Sequence, residues 1–298
     1  MRSLKYDPPT FWNERCKKFG HTGWADRLYY HYDQPLRLKA IEKVLSLTGI
    51  TIEDKRTKVL DVGCGTGDLI QILADKGANV FGIDISTEAI KIAKARFRGN
   101  NRVQLIVGSI EKLDDYYPSE FFDLVTSITV LQHIVDVEAF LTAVHKIVDV
   151  VKRGGHILLL ETAPYRNIKS DFPSYISVRT RQEWIDVFEE AGCQLIKEFA
   201  YPQWGLSLLR KIEKIPKRIW KKRGNTSDKM DTGASRKLLH VLYDGIRWFI
   251  LKFTYPLDHL LFVPFPSRKA EYRIFIFKKT KKKGGVSRDD KERDTNNN

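Results

Sequence analysis

Apolar residues recur along the first two thirds of the chain in two alternating rhythms. Short unbroken runs, KVLDV (58–62), NVFGIDI (79–85), VQLIV (103–107), FDLVTSI (122–128) and HILLLE (156–161), have the composition of strands buried on both faces. Between them the spacing turns helical. In the stretch from 136 to 155, Phe140, Val144, Ile147, Val148 and Val151 share one stripe, and Gly154 and Gly155 are placed to close the helix in a left-handed cap. Another helix opens at Thr180, whose hydroxyl can cap it while Glu183 reaches back, and ends at Gly192. Such alternation predicts a doubly wound α/β sheet, mostly parallel.

Two later runs, CQLIKEFAY (193–201) and EYRIFIFKK (271–279), bring the strands to seven. No βαβ pattern joins them, so the last strand is expected antiparallel at a sheet edge, with 203–270 as an insertion. Ahead of the first strand, a helix is expected to begin near Asp33 and to turn Leu36, Ala40, Ile41, Val44 and Leu45 to the sheet. Phe11, Trp12, Trp24, Tyr29, Tyr30 and Tyr32, further upstream, are too dense and too interrupted by charge for a simple core helix.

Gly63, Gly65 and Gly67 follow directly on the first buried run, where glycine would weaken a strand. At the carboxyl end of a first parallel strand, however, a glycine-rich turn lets backbone approach a ligand, and the next helix offers free N–H groups. Asp84, at the tip of the second strand, suits ribose hydroxyls. A dinucleotide fingerprint would need its third glycine at position 68, which is Asp68, and no Gly-Lys-Ser/Thr completes a P-loop. An NAD(P) oxidoreductase is therefore the less favoured alternative.

In order and spacing, the D-x-G-x-G-x-G of 61–67, the GID of 82–84 and FDLVTSITVLQHI (122–134) resemble class I S-adenosylmethionine-dependent methyltransferases. The likeness is to the group acting on small molecules, sugars and quinones, over roughly residues 30–202 and the last strand. It implies S-adenosylmethionine as methyl donor; separately, the six histidines other than His133 show no pairing suggestive of a metal site, so no metal is expected. Asp61, Gly63, Cys64, Gly65 and Gly67 would wrap the methionine and ribose, Asp84 would accept the ribose hydroxyls, and Ile85 would pack on adenine. The family often has an acidic residue where this chain has Ser109; either Ser109 or Glu111 would then face the adenine amino group, with Ile110 against the ring. Ser127, Ile128 and Thr129 would border the transferable methyl. Residues 1–32 would form a lid, with Tyr30, His31 and the nearby Arg37 as candidates for cofactor or acceptor contacts. In-line positioning supplies much of the rate in such a reaction. His133 is the candidate general base toward a hydroxyl acceptor, and its competing role is to pack and orient its loop.

With 298 residues and 42% hydrophobic content the chain can bury a full core. Cys16, Cys64 and Cys193 are too scattered for a disulfide framework or a zinc site. No apolar leader and no stretch of roughly 20 apolar residues is present, which gives cytoplasmic residence as the expectation. The formal charge of +14 is uneven: eleven basic residues stand against three acidic ones between Arg210 and Lys237. Leu208, Ile212, Ile215 and Ile219 form one apolar stripe there, and Leu238, Leu239, Leu242, Ile246, Phe249 and Ile250 a second. The expectation is that 203–270 caps the acceptor, with Trp220, Trp248 and Phe249 drawn to an anionic membrane surface. The resemblance places the S-adenosylmethionine-binding domain at 33–202 and 271–280, and 281–298 is expected to be a disordered tail. Together these features predict O-methylation of a small-molecule, glycan or lipid-linked acceptor. The alternative is an RNA methyltransferase or a noncatalytic RNA-binding protein, disfavoured because no RRM, KH or OB signature accompanies the charge.

Overall fold

A computed structural model describes residues 6–52, 55–167, 173–201, 203, 205–211, 233–260, 268 and 270–280, excluding the side chains of 233–242 and 259–260. The five buried runs become parallel strands β1 (Lys58–Val62), β2 (Asn79–Asp84), β3 (Val103–Val107), β4 (Phe122–Ile128) and β5 (Val151–Thr162). With β6 (Cys193–Tyr201) and β7 (Tyr272–Lys279) they form one sheet in the order β3-β2-β1-β4-β5-β7-β6. β7 runs antiparallel to both neighbours, as expected, but it lies inside the sheet rather than at its edge. The reason is in its side chains. Ile274, Phe275, Ile276 and Phe277 are apolar on both faces and fully buried, whereas β6 carries exposed Ile196 and Lys197 and takes the edge.

Helices cover both faces: α1 (Pro8–Phe19), α2 (Arg27–Thr48), α3 (Asp68–Asp75), α4 (Thr87–Arg96), α5 (Val137–Val150), α6 (Arg181–Glu190), α7 (205–211) and α8 (Gly233–Leu260). α6 has the Thr180–Glu183 capping box. α5 stops at Val150, short of the two glycines expected to cap it. Gly154 does take a left-handed conformation, φ 79°, but within β5, where the register against β4 shifts between Phe122 and Leu124.

α2 starts at Arg27, six residues before the expected position, capped by the Asp26 carboxylate accepting from the Tyr29 N–H. Tyr29, Tyr32 and Leu36 can be helical because the insertion gives them an apolar partner: they pack with Leu206, Leu209 and Leu251. Ala40, Ile41, Val44 and Leu45, one to two turns later, face the sheet as expected. In α7 Leu206 and Leu209 are buried, whereas Leu208, the one described residue of the expected first stripe, is exposed. Ile212, Ile215, Ile219, Trp220 and the tail from 281 lie outside the described residues. The carboxyl ends of β1 and β4 meet where the strand order reverses, the position at which such sheets bind ligands.

Candidate active site

A cavity of about 520 Å³ opens at those strand ends. From β1 and its turn come Asp61, Gly63, Cys64 and Gly65; from β2 come Asp84 and Ile85. Ser109 and Ile110 follow β3, while Ile128, Thr129 and His133 follow β4. Tyr30 and Arg37 reach in from α2. Three expected residues are elsewhere. Gly67 caps α3 against Phe97, Ser127 is buried within β4 with its hydroxyl unpartnered, and His31 is exposed on the outside of α2.

The glycine turn is left-handed at Gly63, Gly65 and Gly67, with φ of 67°, 54° and 87°. This winding aims the Gly65 N–H at Asp84 Oδ2, 2.8 Å away, while Ser86 N–H donates to Oδ1, also at 2.8 Å. Each carboxylate oxygen keeps acceptor capacity toward the cavity. Burial raises the Asp84 pKa against those two bonds. Asp61 accepts from the Thr126 hydroxyl at 2.7 Å, and burial pushes it up to about 7. Burial likewise raises the Cys64 thiol well above its ordinary value, so it remains a protonated packing group. The Ser109 hydroxyl donates to the Glu111 carboxylate, which makes one polar pair of the two adenine candidates.

The roof comes from the amino-terminal segment. Trp12, Arg15, His21 and Thr22 line it, and Tyr30 stacks on His21 with ring centroids 3.5 Å apart. Tyr30 OH and Gln34 Nε2 donate to Asp68 Oδ2 at 3.3 and 3.0 Å, and Arg96 Nη1 donates to Oδ1 at 2.7 Å. Asp68, where a dinucleotide site would have glycine, thus ties the roof helix to the floor. Asn13 Oδ1 accepts from Ser86 Oγ, Thr87 Oγ1 and Glu88 N at 2.9, 3.1 and 3.1 Å, fastening α1 to the start of α4. No described residue of the insertion lines the cavity.

Arg37 is buried between Asp33, 2.5 Å from Nη2, and the Thr129 hydroxyl, 2.9 Å from Nη1; its Nε has no partner. Asp33 also accepts from Trp24 Nε1, Tyr201 OH and Gln203 Nε2. No sequence pattern marks Asp33, because two of its four donors, Tyr201 and Gln203, lie about 170 residues away. His133 Nδ1 lies 3.0 Å from the Tyr175 carbonyl, which can only accept, so Nδ1 holds the proton and Nε2 the lone pair. Trp12 meets its ring edge-on and Tyr175 stacks on it. Burial, opposed by the Tyr175 bond, lowers its pKa to about 4. His133 is therefore neutral at physiological pH.

Among the described residues there is no cluster of three metal-ligating side chains, and no helix is long and apolar enough to cross a membrane. Residues 53–195 match the model of a methyltransferase domain. The chain is 32% identical over 188 residues to a ubiquinone biosynthesis O-methyltransferase of Vibrio atlanticus, covering 62% of this chain and 71% of that protein. It is 35% identical over 149 residues to the protein of the same name from Dechloromonas aromatica, covering 48% of this chain but only 60% of that relative's length. In fold it is similar to a putative sarcosine dimethylglycine methyltransferase from Galdieria sulphuraria, with TM-score 0.55, 15% identity, and coverage of 85% of this chain and 97% of that one. The [4+2]-cyclase SpnF is also similar, with TM-score 0.50, 17% identity, and coverage of 84% and 94%.

Proposed function

The chain belongs to the S-adenosylmethionine-dependent methyltransferase family, and from that premise we propose that it methylates an oxygen of a small-molecule acceptor. One observation carries the reading. Asp84, the left-handed glycine turn, the unpartnered Arg37 Nε and the His133 Nε2 lone pair, which accepts a long 3.5 Å bond from the Gln132 amide, all converge on one cavity. Fold alone would not decide it, since a cyclase shares the architecture.

When bound, S-adenosylmethionine supplies an electrophilic methyl on a sulfonium. Asp84 would hold the ribose hydroxyls, Ile85 and Ile110 the adenine faces, and the Ser109–Glu111 pair its amino edge. Asp61, Gly63, Cys64 and Gly65 would line the methionine, with Tyr30 and Thr22 above. The Arg37 guanidinium, with one buried donor unsatisfied, suits the methionine carboxylate. Toward the acceptor, Trp12 and Tyr175 present aromatic faces and His133 Nε2 takes the hydroxyl proton. A base lowered to about 4 matches a phenol better than a sugar hydroxyl, because phenols ionise near pH 10 and sugars higher. A quinone-type ring acceptor, as the relatives' names state for those proteins, fits this wall.

A second reading concerns where the acceptor is met. Ile246, Phe249, Phe253 and Leu257 recur along one side of α8 and are 56%, 65%, 72% and 46% exposed. Lys252 Nζ lies 4.6 Å from the centroid of the exposed Trp248 ring. Beside the basic run of 210–237, this face suits the headgroup zone of an anionic membrane, where a lipophilic quinone precursor resides. Phe249→Ser with Phe253→Ser should reduce co-sedimentation with phosphatidylglycerol vesicles; unchanged sedimentation excludes the contact.

Calorimetry tests the donor site. S-adenosylmethionine and S-adenosylhomocysteine should bind, and Asp84→Ala should weaken both by about 10- to 100-fold, the worth of a charge-assisted hydrogen bond. Labelled-methyl transfer to 3,4-dihydroxybenzoate tests the acceptor class. Binding of NADH in place of either sulfur ligand would refute the proposal.

A further inference from the structure

Residues 129–134 carry Thr129 and His133 to the cavity with little more than one short 3-10 turn, Leu131–His133. Two of their N–H groups, those of His133 and Ile134, bond within the segment, and the other four are held from outside, Thr129 N–H by the Leu160 carbonyl. Glu161, fully buried near the end of β5, accepts from the N–H groups of Val130, Leu131 and Gln132 at 3.0, 2.9 and 3.3 Å. From another direction Arg179 donates to the carbonyls of Ile134 and Leu131 at 3.0 and 3.5 Å, its guanidinium 3.5 Å from the Phe140 ring centroid. The Gln132 amide oxygen accepts from Thr162 N and Oγ1, and its backbone carbonyl accepts from Ser177 N. Thr129 is left-handed, φ 55°, a conformation that a β-branched residue keeps only when its surroundings over-determine it.

We propose that Glu161 and Arg179 are positioning residues, gripping this segment from two sides so that His133 Nε2 and the Thr129 hydroxyl face the reacting atoms. Neither lines the cavity, so neither touches substrate. A buried carboxylate and guanidinium are expensive groups with which to fill space, and apolar residues of similar volume pack as well or better. What the charged pair supplies is direction. Three consecutive N–H groups converge on one carboxylate, two carbonyls meet one guanidinium, and the segment between has no room to turn. Opening that grip frees the Tyr175 contact that fixes the His133 tautomer. Arg37 keeps its pair with Asp33, outside the gripped segment, so the donor side of the cavity stays in place.

The inference rests on the methyl-transfer reading for its chemistry, but its test does not. In the full chain labelled with ¹⁵N-histidine, NMR should find His133 in a single Nδ1–H form that titrates near pH 4, with Arg15 and Arg37 the charges facing it. In Glu161→Gln, which keeps the shape but loses the charge and sets N–H against N–H, His133 should show both tautomers. The tautomers are compared at pH 8, where Glu161, raised by burial to about 7, is ionised, and S-adenosylhomocysteine affinity by calorimetry should stay within threefold. Arg179→Lys should give the same changes at smaller size, and carries the test by itself if Glu161→Gln does not fold. Identical His133 spectra at that pH in the folded variants would overturn the proposal. So would a tenfold loss of S-adenosylhomocysteine affinity alongside the NMR change, which would mark a general structural role. Absence of any S-adenosylhomocysteine binding by the unaltered protein would count against the methyltransferase reading instead, leaving the His133 readout intact.

Discussion

Asp61 and Asp84 are buried side by side beneath the glycine turn, and the cost falls on their ionised forms. For Asp61 the folded-state pKa of about 7 stands above the ordinary 3.8, so the folded protein holds the proton more tightly. Its contribution to stability is complete below about pH 4 and is lost as pH rises through 7. Asp61→Asn keeps an oxygen for Thr126 and removes the charge. Thermal melts should show the variant gaining on the unaltered protein between pH 4 and pH 8, by on the order of a few kcal/mol. A difference that is constant across that range would show that Asp61 titrates normally. His133 sets a second dependence. With its pKa lowered to about 4, methyl transfer should be insensitive to this group between pH 5 and 8, and His133→Gln should lower kcat by roughly 100- to 10,000-fold. An activity midpoint near 6.5 that vanishes in His133→Gln would mean an exposed, ordinary histidine.

At the level of helices and strands, Thr180→Ala removes the hydroxyl that caps α6 and should cost about 1 kcal/mol in chemical denaturation. α8 offers a sharper test. Asp258 accepts from Tyr32 OH and from Gly205 N–H at 2.9 Å, and Arg247 pairs with Asp26, so α8 is fastened to α2. Tyr32→Phe should raise hydrogen exchange in α8 at least tenfold and leave β1 to β5 unchanged; equal exchange throughout would show that apolar packing alone holds it. These elements also show what could be read from the chain. The five parallel strands were legible because a run buried on both faces has no polar register to obscure it. The α6 cap was legible because its two partners lie three residues apart. The start of α2 and the interior place of β7 were not, since each depends on a partner far along the chain: Leu206, Leu209 and Leu251 for one, β5 and β6 for the other.

For the molecule as a whole, ligand binding and folding are linked. S-adenosylhomocysteine at 100 times its Kd should stabilise the protein by about 2.7 kcal/mol, a rise in Tm of roughly 5–10 °C, and Asp84→Ala should abolish most of it. The donor side was readable because its residues sit at fixed offsets around one turn. The acceptor side was not. The side chains proposed to face it, Trp12, Arg15 and Tyr175, belong to no spaced motif, and the described part of the insertion packs on α2.

The roof described above is fastened twice, through Asn13 of α1 to α4 and through Tyr30 and Gln34 of α2 to Asp68 at the start of α3. That arrangement governs timing. Departure of the spent donor past these ties, rather than the methyl step, should pace each cycle. Rapid mixing should then reveal one fast equivalent of product per enzyme followed by a slower steady rate. Asn13→Ala, with one tie cut, should quicken the steady rate and leave the first equivalent unaltered.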